Sequence, residues 1–238
     1  MTLFPENIST YGQEIDRLFY TISALVAVAF VISLFILLYP LFNNGAKRVK
    51  KASYFTGGKR THFKWVAIAM LAMAMSDFYF LYAEHGAWVT IEETQVKPDF
   101  HVAVTGRQWN WAFTYPGPDG KLYTKDDVVI NEMNSELHVP INKNIVVDLW
   151  AKDVLHSFFV SNIRLKQDCV PGRLIQRWFN LTKTGTYDIA CAELCGVLHG
   201  KMRNFLVVDN QQRFDGYIDS LYKAHAPAPA ITMTNPSN

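Results

Sequence analysis

Residues 191–202, CAELCGVLHGKM, contain the side chains from which the fold of this 238-residue chain can be inferred. Cys191 and Cys195 are four residues apart, His199 follows after four more, and Met202 lies three residues beyond it. A disulfide between cysteines this close would close a very small, strained loop. Thiolate, imidazole and thioether groups together favour a soft or borderline metal ion. We therefore interpret this stretch as a metal-binding loop.

Three kinds of metal site match parts of this loop. A zinc site can use both cysteines, His199 and a fourth ligand, but zinc has no use for Met202. A mononuclear blue copper site needs one cysteine, two histidines and a weak axial methionine, which leaves one thiolate over. Two thiolates that bridge two copper ions would use both cysteines, and each copper would then need one histidine. The dinuclear interpretation therefore requires a second histidine from elsewhere in the chain.

His156 is the candidate for that second histidine, because it lies in the strand-like stretch KDVLHSFFV at residues 152–160. Met202 would then be the axial ligand of one copper, and the main-chain carbonyl of Glu193 would serve the other. The remaining histidines are interpreted as ordinary residues; they are His62, His85, His101, His138 and His225.

The residues around the loop are typical of an all-β domain. After residue 88, short runs rich in β-branched and aromatic residues alternate with turn signals. These runs cover residues 100–115, 145–150, 155–160, 174–181, 186–190 and 204–208. Such spacing predicts an antiparallel sandwich or barrel.

Two apolar stretches precede this domain. Residues 18–39 contain no charge, and at about 1.5 Å per residue they reach about 33 Å, enough to cross a hydrocarbon core of about 30 Å. Residues 65–83 form the second stretch and contain Asp77, an ionisable residue that is costly in a membrane and by default functional. The loop between the two stretches is basic and contains no acid, which predicts a cytoplasmic location. The sequence thus predicts a two-helix transmembrane hairpin followed by a β domain on the opposite side.

The chain resembles subunit II of the haem–copper cytochrome c oxidases over nearly its whole length. The similar stretches are VTGRQWNWAFTYP (104–116), NSELHVPINKNI (134–145), KDVLHSFFV (152–160), LKQDCVPGR (165–173) and CAELCGVLHGKM (191–202). The resemblance implies an all-β cupredoxin-like Greek-key barrel that contains the dinuclear copper A centre. The expected parts are a non-cytoplasmic segment (1–17), transmembrane helix 1 (18–42), a basic cytoplasmic loop (43–63), transmembrane helix 2 (64–88), the copper A domain (89–224) and a disordered tail (225–238).

The resemblance also implies a ligand set. The side chain of Glu193 matches a family residue that helps to bind Mg²⁺ shared with subunit I, and a carboxylate suits that hard ion. Haems are expected only in the partner subunit. The implied copper ligands are His156, Cys191, Cys195, His199, Met202 and the main-chain oxygen of Glu193.

Further residues match positions along the expected electron path. Trp109 is similar to the exposed indole through which the electron of a donor enters. Asp168 and Arg173 match an acid and an arginine near the path toward haem, or they form a structural ion pair. The implied function is electron transfer from cytochrome c to haem in subunit I, where oxygen is reduced.

The expected partners are subunit I, subunit III, cytochrome c and the lipid bilayer. The formal net charge of +2 does not indicate a protein that binds nucleic acid. The expected location is a bacterial inner (plasma) membrane, with the copper domain on the periplasmic side.

Three departures from the family pattern matter. His62 stands near the start of the second helix, where many members have an acid that marks a proton channel. Asp77 lies inside a membrane span, where it either faces a partner helix or is a hydrogen-bonded residue close to the membrane surface. Cys169 replaces a small residue and is interpreted as a buried thiol. The first departure motivates an alternative, a copper A subunit of a nitric oxide reductase of the same superfamily. A membrane-anchored copper carrier or assembly factor is a third hypothesis.

Overall fold

The structure is a computed structural model that describes residues 4–43, 57–60, 63–94 and 96–225. The segment that ends at Gly12 and the residues after Thr94 form one compact unit, and Gln13–Thr94 form another. His62, most of the predicted basic loop and the tail from residue 226 lie outside the described residues.

The second unit contains two long apolar helices. Helix α1 covers Gly12–Asn43, and helix α2 covers Lys64–Trp88 and continues into a π-helical turn at Val89–Glu93. Both are long and apolar enough to cross a membrane, with mean hydropathies of 2.8 and 1.6 and no burial of their apolar windows. Since a helix that is apolar on every side needs an apolar surrounding, the lipid bilayer is the environment these sequences suit.

The first unit is a β-sandwich. The described residues form ten strands in two five-stranded sheets, with the orders β3-β2-β1-β5-β8 and β4-β10-β9-β6-β7. The strands are β1 Phe100–Arg107, β2 Asn110–Tyr115, β3 Val128–Ile130, β4 Glu136–Pro140, β5 Asn144–Ala151, β6 His156–Val160, β7 Leu165–Cys169, β8 Ile175–Asn180, β9 Gly185–Cys191 and β10 Arg203–Asp209. Two apolar helices followed by this sandwich confirm the predicted fold class.

The pairing of the strands differs from the expectation in one respect. Strand β1 runs parallel to β5, with Phe100 opposite Ile145, and β10 runs parallel to β4. The expectation of a purely antiparallel sheet was therefore wrong at these two pairs. Each joins strands that are far apart in the chain, and local alternation of side chains does not encode the direction of such a partner.

The core lies between the two sheets. Inward side chains alternate along the strands, as the two-residue period of a strand requires. On β5, for example, Ile145, Val147 and Leu149 are fully buried. Phe158 on β6 and Phe179 on β8 are also fully buried. This closely packed frame positions the metal-binding loop at one end of the second sheet.

Helix α3, Gln211–His225, follows the last strand and was not predicted from the sequence. Its residues Phe214 and Leu221 are buried. The ring of Phe214 meets Phe100 edge to face at 5.0 Å, and Tyr217 stacks on His138 at 3.7 Å. The helix thus covers an apolar part of the sandwich.

Candidate metal centre

The predicted ligands come from two neighbouring strands and the loop that follows one of them. Strand β9 ends at Cys191, and the next eleven residues lead through a 3-10 turn at His199–Lys201 to β10. His156 begins β6, which pairs with β9 so that Phe158 lies opposite Cys191. Because residues two apart share a face of a strand, His156 points to the same side as Phe158. The main-chain N–H of Cys191 donates to the carbonyl of Met202 at 3.3 Å and closes the base of the loop.

The structure brings the six predicted ligand residues together. The two thiol sulfurs are 3.8 Å apart, and each has a different imidazole nearby. Further distances are 3.9 Å from Cys191 Sγ to His156 Nδ1, 3.6 Å from Cys195 Sγ to His199 Nδ1, 3.8 Å from Cys195 Sγ to Met202 Sδ, and 3.2 Å from Cys191 Sγ to the carbonyl oxygen of Glu193. His156, Cys191 and Cys195 alone already form a group that can hold a metal ion.

Most of this donor set is shielded from water. His156 is fully buried, and Cys195 and Met202 are 3% and 2% exposed. The tip of the same loop is apolar and open, since Leu194 is 78% and Val197 92% exposed. The sulfur and nitrogen donors therefore lie beneath an apolar surface rather than in solvent.

The two thiols differ in how readily they ionise. Burial raises the pKa of Cys191, but the hydrogen bonds of its sulfur with His156 and nearby backbone groups outweigh this effect and lower the pKa to about 6. Burial raises the pKa of Cys195 to about 12, and the negative charge of Cys191 adds to this rise. A cation between the sulfurs would remove the repulsion that keeps the second proton bound. The donor set therefore fits a soft, positively charged group such as the copper pair that the family implies.

Asp153 is not a predicted ligand, but it holds His156 in place. Its Oδ1 lies 2.9 Å from His156 Nε2, and its Oδ2 accepts a 2.7 Å hydrogen bond from the main-chain N–H of Gln108. A ring nitrogen that donates to a carboxylate carries a proton, so Nδ1 of His156, which faces Cys191, is the nitrogen that would bind a metal ion. Sequence reasoning missed this role. The available signal was an acid three residues before the candidate histidine.

Trp109 lies beside the loop in the turn between β1 and β2. Its indole N–H donates to the carbonyl of Cys195 at 3.2 Å, and the side chain is half-buried. The next inward aromatic residue, Trp111, is fully buried with its ring 6.0 Å from the ring of His156. The structure thus places Trp109 directly against Cys195, a predicted ligand.

The side chains of the other predicted residues make none of the donor contacts described above. Asp168 forms a 3.3 Å ion pair with Lys166, whereas Arg173 is exposed after β7. Asp77 is exposed within α2, and the side chain of Glu193 is half-buried. Cys169 is fully buried opposite His156 in the β6–β7 pair, and burial raises the pKa of its thiol to about 12. That environment is the one expected of a structural thiol.

Comparison with known proteins identifies the family to which the β-sandwich is similar. The family described as "Cytochrome C oxidase subunit II, periplasmic domain" matches residues 100–210. The alternative cytochrome c oxidase subunit 2 of Bradyrhizobium diazoefficiens is 31% identical over 209 residues, which cover 76% of this chain and 70% of that relative. Cytochrome c oxidase subunit 2 of Thermostichus vulcanus is 42% identical over 134 residues, 56% of this chain and 37% of that relative.

A solved structure shows the same fold. The crystal structure of the periplasmic domain of subunit II of cytochrome oxidase from Bradyrhizobium japonicum superposes with a TM-score of 0.50 at 30% identity. The match covers 56% of this chain and 100% of that domain. Residues 100–210, which the family matches, contain the ten strands and the sulfur and nitrogen donors described above. The chain therefore belongs to the cytochrome c oxidase subunit II family and is a membrane subunit of an oxidoreductase complex.

Proposed function

We propose that this subunit accepts single electrons from a cytochrome c at a dinuclear copper A centre and passes them to haem in subunit I, where oxygen is reduced. The observation that carries this proposal is the convergence of two thiols, each beside a different imidazole, with Met202 and the Glu193 carbonyl at the same place. Two thiols and two imidazoles alone would also suit one tetrahedral zinc ion, so the thioether and the carbonyl decide between the metals. A copper pair uses them as additional donors, whereas a zinc ion does not.

The residues that would hold the copper pair follow from these contacts. The copper pair would be held by the thiolates of Cys191 and Cys195, the imidazoles of His156 and His199, the thioether of Met202 and the carbonyl of Glu193. When bound in this way, the pair supplies a centre that shares one electron and changes its shape little when the electron is gained or lost.

The protein keeps the site rigid and excludes water from it. His156 belongs to a hydrogen-bonded strand, Cys191 ends the strand beside it, and Asp153 fixes the orientation of the imidazole. Ligands held by such supporting contacts do not need to move when the charge of a site changes. Burial of the donors excludes water, which would otherwise reorganise around each change of charge.

We assign the remaining predicted residues to the routes into and out of the site. Trp109 would receive the electron of the donor, because its indole N–H contacts the peptide of Cys195. Asp168 and Arg173 would lie near the route to haem, and the Glu193 carboxylate would bind Mg²⁺ at the boundary with subunit I. Asp77 would face a helix of a partner subunit, since an isolated carboxylate is costly in lipid.

The surfaces of the chain support membership in a larger complex that contains subunits I and III. The exposed apolar residues Leu194 and Val197 at the tip of the metal-binding loop suit a protein interface better than water. The two apolar helices suit lipid and partner helices. We place the complex in a bacterial inner membrane with the β-sandwich on the periplasmic side, because the basic loop between the helices favours the cytoplasm.

The test is to purify the whole complex and to measure copper content together with substrate turnover. We expect two copper ions bound by this subunit and rapid oxygen uptake with reduced cytochrome c. One copper per subunit would contradict the dinuclear centre. Nitric oxide turnover with almost no oxygen uptake would favour the reductase alternative, which the relatives named above do not support.

A further inference from the structure

The turn between β1 and β2 makes two contacts with a single peptide of the metal-binding loop. The side-chain amide of Gln108 donates to the carbonyl oxygen of Cys195 at 2.7 Å, and the indole N–H of Trp109 donates to the same oxygen at 3.2 Å. The main chain of Gln108 is also held, because its N–H donates to Asp153 at 2.7 Å. Gln108 is thus attached both to a ligand residue and to the support of a second ligand.

The metal-binding loop is shaped to receive this turn. Gly196, the residue after Cys195, has a φ of +122°, a conformation that favours glycine. A Cβ atom at this position would lie 3.0 Å from Gln108 Nε2 and 3.1 Å from Trp109 Nε1. The carbonyl of Cys195 can therefore meet both donors only because no side chain stands between them.

The shared oxygen restricts the position of the indole. A half-buried tryptophan with one hydrogen bond of 3.2 Å keeps some freedom to rotate about its side-chain torsions. The shorter bond from Gln108 fixes the direction of the Cys195 carbonyl, and this carbonyl in turn sets where the indole N–H must point. Contacts of this supporting kind decide whether a reactive group stays within about 0.5 Å of its working position.

We infer that Gln108 is a positioning residue that holds the Trp109 indole against the peptide of Cys195. The inference rests on the proposed function, in which one electron leaves a reduced cytochrome c and enters through Trp109. Gln108 neither binds the metal nor carries the electron. It keeps constant the contact between Trp109 and a cysteine ligand.

The first experiment uses the metal-free full-length chain in detergent, labelled with 5-fluorotryptophan. The fluorine resonance of Trp109 is identified as the one that Trp109→Phe removes from the six. Gln108→Met keeps the length of the side chain but removes the N–H donor, so we expect the Trp109 resonance to shift or broaden while the other five stay in place. Gln108→Arg restores an N–H donor and should return the resonance toward its wild-type position. An unchanged resonance in Gln108→Met would overturn the inference.

The second experiment uses the copper-loaded complex and reduced cytochrome c. In Gln108→Met we expect kcat to fall about tenfold, with KM within about twofold and copper content and visible spectrum unchanged. The matched control is Gln211→Met, because Gln211 lies in the first turn of α3 and donates to Asp215 at 2.8 Å. A rise in KM at constant kcat would instead make Gln108 a contact for the donor and would overturn a positioning role.

The two experiments separate this inference from the proposed function. If Trp109→Phe leaves the rate of electron delivery unchanged, the proposed role of Trp109 fails. The fluorine resonance still decides in that case whether Gln108 holds the indole, because this readout needs neither copper nor a donor.

Discussion

At the scale of single residues, Asp153 links His156, a predicted ligand, to the turn between β1 and β2. Its carboxylate accepts hydrogen bonds from the main chain of Gln108 and of Val154 and contacts the ring of His156. Burial raises the pKa of Asp153, but these hydrogen bonds outweigh it and lower the pKa below the usual value. The side chain is therefore ionised at neutral pH and can orient the imidazole.

Replacing this carboxylate should weaken copper binding. Asp153→Asn removes the charge and one acceptor oxygen, so we expect copper affinity to fall about 10- to 100-fold, as for other supporting residues of metal sites. Competition against a chelator of known copper affinity measures the change. The matched control is Asp188→Asn, an exposed acid paired with Arg203. Equal affinities of Asp153→Asn and the wild type would show that His156 needs no support from this carboxylate.

Cys169 tests whether the ligand set is complete, because its thiol is buried beside the site but is not a predicted ligand. Cys169→Ala should retain two copper ions and should lower the free energy of unfolding by about 1 kcal/mol, through loss of packing. Elemental analysis and denaturant titration measure the two quantities, with Cys195→Ala as the variant that should lose copper. Copper loss in Cys169→Ala would show that the ligand set needs revision.

At the scale of elements, the segment before α1 is hydrogen-bonded to the β-sandwich. Ser9 forms an antiparallel bridge with Leu181, the N–H of Ile8 donates to Asn162 at 2.9 Å, and the N–H of Thr182 donates to Ile8 at 2.8 Å. Ile8 is fully buried. The segment thus belongs to the β unit although two apolar helices separate it from that unit in the sequence.

Deleting residues 4–10 from the full-length chain should therefore destabilise the β-sandwich. Re-exposing the surface that Ile8 covers and breaking the hydrogen bonds should cost at least about 2 kcal/mol. Denaturant unfolding followed by tryptophan fluorescence measures the loss, and a synthetic peptide of residues 4–12 should restore part of it. A peptide with Ile8→Asp is the control and should have no effect. Equal stability of the deleted and intact chains would refute this role.

The loop between β2 and β3 is held to its sheet by a buried acid. Asp148 on β5 is 1% exposed and accepts hydrogen bonds from Tyr123 of the loop at 2.6 Å and from Gln176 at 2.8 Å. His101 Nε2 lies 3.0 Å from the same carboxylate. Burial raises the pKa of Asp148, but the hydrogen bonds from His101, Tyr123 and Gln176 outweigh it and lower the pKa.

This lowered pKa predicts how stability depends on pH. Since the folded pKa lies below the unfolded value of about 3.9, the carboxylate contributes stability above about pH 4, and that contribution is lost as pH falls through the folded pKa. Asp148→Asn should therefore be less stable than the wild type at pH 7, and the difference should shrink below pH 4. Urea titrations at pH 7, 5 and 3 measure this. A difference that stays constant over this range would contradict the assignment.

At the scale of the whole molecule, the packed N-terminal segment has a consequence for topology. Two membrane spans between this segment and the β-sandwich return the chain to the side from which it started. The segment and the sandwich pack together as one unit, so they must lie on the same side. This agrees with the proposed topology, in which the basic loop would lie on the opposite side, as the charge bias of membrane proteins favours.

Single cysteines at exposed positions can test this topology. Lys125→Cys in the β-sandwich should react with a membrane-impermeant maleimide in intact spheroplasts, whereas Lys59→Cys between the helices should react only after permeabilisation. The native cysteines are buried and serve as the unlabelled background. The reverse pattern would invert the proposed orientation.

Features that depend on neighbours in the chain could be predicted from the sequence. Uniform hydropathy over some twenty residues predicted the two helices, and the spacing of Cys191, Cys195, His199 and Met202 predicted a shared loop, because these signals are local. The membership of His156 followed only from the need for a second imidazole. The supporting role of Asp153 had only one local signal, its place three residues before His156, and that of Gln108 had none.

Tertiary structure decided the features that join distant segments. The pairing of β6 with β9 brings His156 to Cys191 across 35 positions. The parallel pairs, the packing of the N-terminal segment and the packing of α3 arise in the same way. Such contacts depend on which surfaces are complementary once the sheets have packed, and many strand orders share one local pattern of side chains. The metal-binding loop could thus be predicted from the sequence. The residues that hold it in place, such as Asp153 and Gln108, are brought to it only by folding.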